Sequence, residues 1–113
     1  MKSPRQIASH RLWTEEGLVE NPLISLSCEG EIGSVRSVEA PDREPLTEFY
    51  AGVIIPHFPT NYQEVFARML AQREIPLSEQ LPRWLVAEGC VVVLSGVDFT
   101  TLRLSDRAQI LRL

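Results

Sequence analysis

The sequence predicts a small, mainly β domain of the α+β class: a β-sandwich with a short helical insert at about residues 60–88. Short runs rich in β-branched residues, bounded by turn residues, fill residues 6–55 and residues 90–113, as is typical of strands. Between them, apolar residues recur at helical spacing. With 113 residues, the chain has the size of one domain, and we assign residues 1–113 to it.

Strand signals fill the first half of the chain. The predicted strands are residues 6–13, 23–28, 31–38 and 48–55. Gly17 breaks the chain after the first strand, and Asn21-Pro22 restarts it before the second. Residues 40–47 form a loop between the last two, because their two prolines cannot donate to a ladder. For the same reason we expect Pro56 and Pro59 to end the fourth strand.

The second and third strands are joined by a hairpin signal. Glu29-Gly30 stands between the two runs, and glycine adopts positive φ without a steric clash. Val35 and Val38 do not keep strict alternation. We therefore expect a bulge near Gly33.

The first helix is predicted from its start signal and its apolar stripe. Thr60 and Gln63 have the T-x-x-Q spacing of a capping box. The stripe follows the i, i+3, i+4, i+7, i+8 pattern and consists of Tyr62, Val65, Phe66, Met69 and Leu70. A helix of roughly 12 residues results, and we interpret its stripe as core packing.

A second, shorter helix follows the Ile75-Pro76 pair, which closes the first. Ser78 is expected to cap it, and Pro82 is tolerated only near its first turn. One side of this helix carries Leu81, Trp84 and Leu85. Gly89 is a natural stop.

The last quarter of the chain predicts strands again. Residues 90–94, Cys-Val-Val-Val-Leu, are expected to form a buried strand, because β-branched residues pack well on a pleated sheet. Ser95-Gly96 predicts a turn. Residues 99–104 are expected to form a short strand or turn, and residues 110–113 a final edge strand.

Composition excludes some classes of partner. The chain has 11 basic and 15 acidic residues and a formal net charge of −4. Broad nucleic-acid binding needs a basic stripe, so we expect no nucleic-acid partner. Residues 1–10 lack the apolar core of a secretory signal, and no apolar run approaches the length of a membrane span. We therefore expect a cytoplasmic protein without membrane contact.

The two cysteines, Cys28 and Cys90, have no C-x-x-C spacing, so the sequence offers no thiolate metal motif. In the cytoplasm both thiols are expected to be reduced and buried. A disulfide between them is the alternative that the sequence leaves open.

Residues 48–64, Glu-Phe-Tyr-Ala-Gly-Val-Ile-Ile-Pro-His-Phe-Pro-Thr-Asn-Tyr-Gln-Glu, resemble the strand that leads into the metal site of the amidohydrolases. In that family of metal-dependent deaminases and hydrolases, the segment ends in P-G-F-V-N-x-H-x-H, and the two histidines bind the catalytic metal. Here His57 stands in place of the glycine. Tyr62 and Glu64 stand in place of the two histidines.

Two further blocks resemble the same family. Residues 6–38 contain Glu-Asn-Pro-Leu-Ile-Ser-Leu-Ser-Cys-Glu-Gly-Glu-Ile, similar to a family run that has glycine in place of Pro22 and a basic residue in place of Glu31. Residues 90–113 contain Leu-Ser-Gly-Val-Asp-Phe-Thr-Thr-Leu-Arg-Leu-Ser and resemble the returning strands. The resemblance implies the composite sandwich domain of a metal-dependent hydrolase. The catalytic barrel, which needs on the order of 250 residues, does not fit in this chain.

The residues themselves give no catalytic site. A zinc enzyme needs about three protein ligands and an open position. The chain has only two histidines, His10 in the first strand and His57, which does not fall on a ligand position of the family pattern. No G-x-S-x-G elbow and no phosphate-binding glycine motif occurs. We therefore expect no catalytic residues, no metal and no cofactor, and interpret the chain as not an enzyme.

The expected function is that of a non-catalytic interaction or assembly domain. Without a barrel, apolar surface of the sandwich needs another cover, because soluble monomers rarely expose more than a few hundred Å² of it. The helical insert can supply this cover, or a second copy can. We expect a homodimer that uses an edge strand or the insert residues Tyr62, Val65, Phe66, Met69 and Leu70.

Two alternatives stay open. The chain can act as a regulatory or complementing subunit of a separate amidohydrolase, which would then be its partner. It can also bind a small molecule in a pocket near His57, Tyr62 and Trp84.

Overall fold

The computed structural model describes residues 5–27 and 30–113, which form a small, mainly β domain. The strands are β1 (Arg5–Thr14), β2 (Gly17–Glu20), β3 (Pro22–Leu26), β4 (Ile32–Ser37), β5 (Glu48–Phe58), β6 (Cys90–Asp98) and β7 (Arg103–Arg112). The helices are α1 (Tyr62–Ala71) and α2 (Leu77–Trp84), and a 3-10 turn spans Pro41–Arg43. The mainly β class and the helical insert between β5 and β6 are therefore confirmed.

All these strands belong to one mixed sheet with the order β4-β3-β1-β5-β6-β7, and β2 pairs with β1. The parallel pairing of β1 with β5 joins the two parts of the sheet. This differs from the expected sandwich of two sheets. The reason is that β1 lies between β3 and β5, so its hydrogen bonds link the N-terminal strands to the C-terminal ones.

The first strands form one long hairpin. Glu15 and Glu16 make a two-residue turn, and β2 and β3 pair with β1 in one continuous register. Asn21 interrupts the second arm with a φ of 48°, a conformation that asparagine tolerates, and its N–H still donates to the His10 carbonyl at 3.0 Å. The predicted restart at Asn21-Pro22 is therefore a local kink between β2 and β3.

β3 and β4 form the predicted second hairpin. Gly30 has a φ of 85° and donates to the Ser27 carbonyl at 2.9 Å, whereas Glu29 of the turn lies outside the described residues. The register shifts by one residue opposite Ser25, which puts a bulge at Gly33 and Ser34. The predicted bulge is confirmed.

β5 extends beyond Pro56, which was expected to end it. One extra residue on β5 opposes β6 between Ile55 and Phe58. His57 lies in this bulge with a φ of 62°. Because a bulge leaves a residue out of the ladder, Pro56 is accommodated without the loss of a needed hydrogen bond.

The predicted capping box of α1 is wrong. The cap residue is Asn61, because its carbonyl accepts the first helical hydrogen bonds, from Glu64 N at 3.1 Å and Val65 N at 3.2 Å. Among the described residues, no side-chain hydrogen bond caps this start of the helix. The helix therefore begins one residue later than a capping box formed by Thr60 and Gln63 would require.

The predicted cap of α2 is also wrong. Pro76 stands at the cap with an extended backbone, and its carbonyl accepts from Glu79 N and Gln80 N at 3.0 and 3.1 Å. Ser78 is the second residue of the helix. Pro82 lies well inside this short helix, beyond the expected first turn.

The turn predicted at Ser95-Gly96 is wrong as well. β6 continues to Asp98, and its register with β7 shifts between Ser95 and Val97, where Gly96 stands opposite residues 105–108 of β7. Gly96 has a φ of 72° and lies so close to β7 that a Cβ there would be 2.8 Å from the Ala108 Cα. β7 then begins at Arg103, so the final edge strand is longer than predicted.

The sheet buries apolar residues on both faces. The cluster under the two helices joins β5, β6 and β7 to Val65, Phe66 and Met69 of α1 and to Leu77 and Leu81 of α2. The cluster on the opposite face consists of Ile7, Leu12, Ile24, Leu26, Ile54, Val91 and Val93. The interpretation of the α1 stripe as core packing is confirmed.

Candidate functional site

The α1 residues predicted as an interface lie mostly in the core of their own chain. Val65 is 3% exposed, Phe66 9% and Met69 0%. Tyr62 and Leu70 are half-buried at the margin of the cluster under the helices. The helical insert and a second copy of the chain were the two candidates to cover the apolar face of the sheet. The structure places the helical insert on that face.

The free edge of β4 is the most open part of the sheet. Five of its six residues are exposed, and Val35 retains 41% of its accessible surface. Within the described residues, β4 pairs with β3 alone. Among the described strands, β2 also has one partner, β1, but it is only four residues long. The edge strand β7 carries charged residues that discourage pairing: Arg103, Asp106, Arg107 and Arg112.

The predicted pocket residues are not brought together. Tyr62 lines a shallow depression of about 230 Å³ at the start of α1, apart from His57. Trp84 is half-buried against the cluster under the helices. His57 borders two adjoining clefts, and among the described residues the tryptophan that lines one of them is Trp13.

These two clefts share Pro56, His57 and Ala87, and together we call them the His57 groove. The first cleft has a volume of about 290 Å³ and lies between the β1–β2 turn and the end of α2. The second has a volume of about 560 Å³ and lies between the start of β4 and the start of β6. His57 stands between them at the end of β5.

The segment that returns from α2 holds His57 in place. The His57 carbonyl accepts a hydrogen bond from Val86 N at 2.9 Å, and the His57 ring Nδ1 lies 3.3 Å from the Ala87 carbonyl oxygen. A Cβ at Gly89 would lie 2.4 Å from the Phe58 carbonyl oxygen. The backbone of the groove is therefore fixed by close packing on both sides of the bulge.

The sequence pointed to His57 but missed the rest of the groove. Trp13 and Glu15 reach it because the β1–β2 hairpin is long enough to place its turn beside the end of β5. Glu31 and Glu88 reach it from two loops far apart in the chain. No local pattern marks such a meeting of loops.

A polar cluster lies at the other end of β5. Arg5 Nε donates to Glu48 at 2.7 Å, and its Nη2 donates to the Tyr50 hydroxyl at 2.9 Å. The Arg5 guanidinium holds the pKa of the Glu48 carboxyl below its ordinary value. These bonds join β1 to β5 beside the Ile7–Glu48 pair of the parallel register.

Cys90 is a free, buried thiol whose Sγ donates to the Pro59 carbonyl at 3.7 Å. Burial raises the pKa of this thiol and so lowers its thiolate fraction. Cys28 lies outside the described residues. Among the residues described, no group of three or more His, Cys, Asp or Glu side chains is placed to hold a metal ion.

The comparisons with known proteins give no family. No family model matches the chain, and neither a curated protein nor a solved structure does. Within the described residues, neither helix is long and apolar enough to cross a bilayer. Functional inference therefore depends on the geometry of β4 and of the His57 groove.

Proposed function

We propose that this chain is a non-catalytic assembly domain of the amidohydrolase composite type, and that it forms a homodimer through the free edge of β4. The observation that carries the dimer is the exposure of this strand, five of whose six residues are open to solvent. An edge strand presents unpaired N–H and C=O groups that a second strand can satisfy. A two-fold axis beside β4 would pair the edge with its own copy.

Two features support the composite-domain assignment. The family pattern has glycine where this chain has His57, and the φ of 62° at that residue is a conformation that favours glycine. The pairing of Phe58 with Cys90 places the two ends of the helical insert side by side. That is the point at which the resemblance implies the barrel in related enzymes.

The α1 stripe is a poorer interface than β4, since its three central side chains are already buried. An interface there would require α1 to leave the sheet.

Cytoplasm is the compartment that suits the free thiol of Cys90.

The test is the mass of the protein in solution with and without an intact β4 edge. Val38 N donates to the Asn21 carbonyl at 3.0 Å, so by alternation the N–H of Arg36 points the same way and that of Val35 points away from β3. Val35→Pro therefore removes an outward donor without touching the β3 ladder.

We expect a dimer of the parent chain at about 50 µM in sedimentation velocity and a monomer for Val35→Pro. Val35→Thr is the matched control and should remain a dimer, because it keeps the N–H. A parent chain that stays monomeric at this concentration would refute the dimer. Circular dichroism checks that the proline variant is folded.

A further inference from the structure

We propose that the His57 groove binds an extended basic peptide segment of a partner protein, in which an apolar residue is flanked by arginine or lysine. This inference goes beyond assembly through β4 and does not rest on it. Its basis is the shape, the lining and the charge of the groove.

The first cleft offers apolar and aromatic surface. Trp13 lines it together with Leu85 and Val86, and Val86 is 42% exposed. An aromatic face beside apolar side chains contacts a hydrocarbon side chain well, and it attracts a guanidinium or ammonium group through the ring quadrupole. The lining of this cleft therefore suits both parts of a basic, apolar segment.

Carboxylates border both clefts. Glu15 lies at the first, and Glu31 and Glu88 lie at the second. Among the residues that the structure describes, neither lining contains Lys or Arg. Within the part of the chain that the structure describes, none of the three carboxylates forms an ion pair, whereas Glu20 and Glu48 do. The charge of the groove is therefore left for a ligand to neutralise.

The extent of the groove selects a peptide over a small cation. Glu15 lines the first cleft, whereas Glu31 and Glu88 line the second, so a single ammonium group bound in one cleft leaves the lining carboxylates of the other without a partner. An extended chain advances about 3.3 Å per residue and presents alternate side chains to the same face. It can place cationic groups in both clefts at once and an apolar group near Trp13.

The ligand probe is a fluorescein-labelled hexapeptide that alternates arginine and leucine, with a glutamate–leucine hexapeptide of the same length as its control. Fluorescence anisotropy at low salt measures the binding of each peptide. We expect saturable binding of the arginine peptide and no binding of the glutamate peptide. Raising the salt concentration should weaken the binding. Equal binding of the two peptides, or none, would overturn the proposal.

The variant that locates the site is the triple substitution Glu15→Gln, Glu31→Gln and Glu88→Gln. The matched control is Glu39→Gln, Glu74→Gln and Asp106→Asn, which removes the same charge from exposed positions outside the groove. We expect a loss of affinity of about tenfold in the groove variant and less than about twofold in the control. Equal losses would mean that net charge attracts the peptide, and would overturn the site.

A second readout separates a peptide from a small cation. In a Trp84→Phe background, Trp13 is the remaining tryptophan, and its fluorescence should change on addition of the unlabelled arginine peptide. Tetramethylammonium or argininamide at the same molar concentration should neither reproduce this change nor displace the labelled peptide. Full displacement by either would mean that the groove is a small-cation site and would overturn the proposal.

Discussion

The backbone of His57 is held in the left-handed region, with a φ of 62°. This region costs an L-residue about 1–2 kcal/mol relative to the right-handed one. The hydrogen bond from Val86 N and the close approach of Gly89 keep the chain there. Glycine at position 57 removes this cost, whereas alanine keeps it.

We therefore expect His57→Gly to be about 1 kcal/mol more stable than His57→Ala in urea unfolding. Both variants lack the imidazole and differ only by the Cβ atom. Gln63 is exposed in α1 and supplies the control, because there alanine should be more stable than glycine by about 1 kcal/mol. Equal stability of the two His57 variants would contradict the assigned backbone conformation.

Among the elements, α1 and α2 are tied together by a single buried amide. Gln80 is 1% exposed, and its Nε2 donates to the carbonyls of Gln72 and Ile75 at 3.0 and 2.9 Å. The last carbonyls of a helix have no partner within it. The Gln72 carbonyl also accepts from Ile75 N at 2.9 Å, so the Gln80 amide adds a second donor there and links the end of α1 to α2.

Replacing Gln80 with leucine should lower the free energy of unfolding by about 1 kcal/mol, because the carbonyl of half-buried Ile75 loses its hydrogen bond from Nε2 while the Gln72 carbonyl keeps the one from Ile75 N. Gln63→Leu on the exposed face of α1 is the matched control and should change it by less than about 0.5 kcal/mol. Urea unfolding followed by circular dichroism measures both. A Gln80→Leu variant as stable as the parent would mean that water satisfies the Ile75 carbonyl.

A glycine in the sequence does not by itself show whether a strand ends there or continues through an irregularity. At Gly96 a positive φ is compatible with a turn and with a strand that continues through a register shift, and the sequence favoured the turn. The choice is made by β7, whose Ala108 Cα would lie 2.8 Å from a Cβ at this position. At Gly33 the interrupted alternation of Val35 and Val38 carried the information locally, and the bulge was predicted correctly.

At the scale of the whole molecule, the parallel pairing of β1 with β5 connects the two parts of the sheet. Arg5 and Glu48 reinforce it with an ion pair of 2.7 Å. Since the pKa of Glu48 is lowered in the folded chain, this carboxylate contributes stability above the pKa it has in the unfolded chain. The contribution disappears as the pH falls through the lowered value in the folded state.

Glu48→Gln should therefore lower the melting temperature slightly at pH 7, and the difference from the parent should vanish as the pH falls from 7 through the lowered pKa of the Glu48 carboxyl. The effect is small because both side chains are partly exposed, and pairs of this kind contribute a few tenths of a kcal/mol. Glu39→Gln, at an exposed position, should show no such dependence on pH. A constant difference across this pH range would point to lost packing in place of lost charge.

The sequence predicted the mainly β class, the helical insert and the buried face of α1, because β-branched runs and the helical stripe are local signals. It did not predict a single sheet, since the pairing of β1 with β5 joins segments about 40 residues apart in the chain. It also chose Trp84 for the pocket in place of Trp13. Spacing along the chain cannot reveal which turn lies beside His57.

The adjacency of Phe58 and Cys90 has a consequence for how this fold accepts foreign sequence. The chain leaves the sheet at β5 and returns to it at the neighbouring strand β6. The segment between these strands can therefore become much longer with only a small increase in the entropic cost of closing the loop. A grafted module must nevertheless bring an apolar face of its own, because Val65, Met69 and Leu81 seal the strands beneath them. The connection between Phe58 and Cys90 can therefore hold an inserted domain that packs against the sheet. A flexible linker in the same place would leave this face of the sheet exposed to solvent.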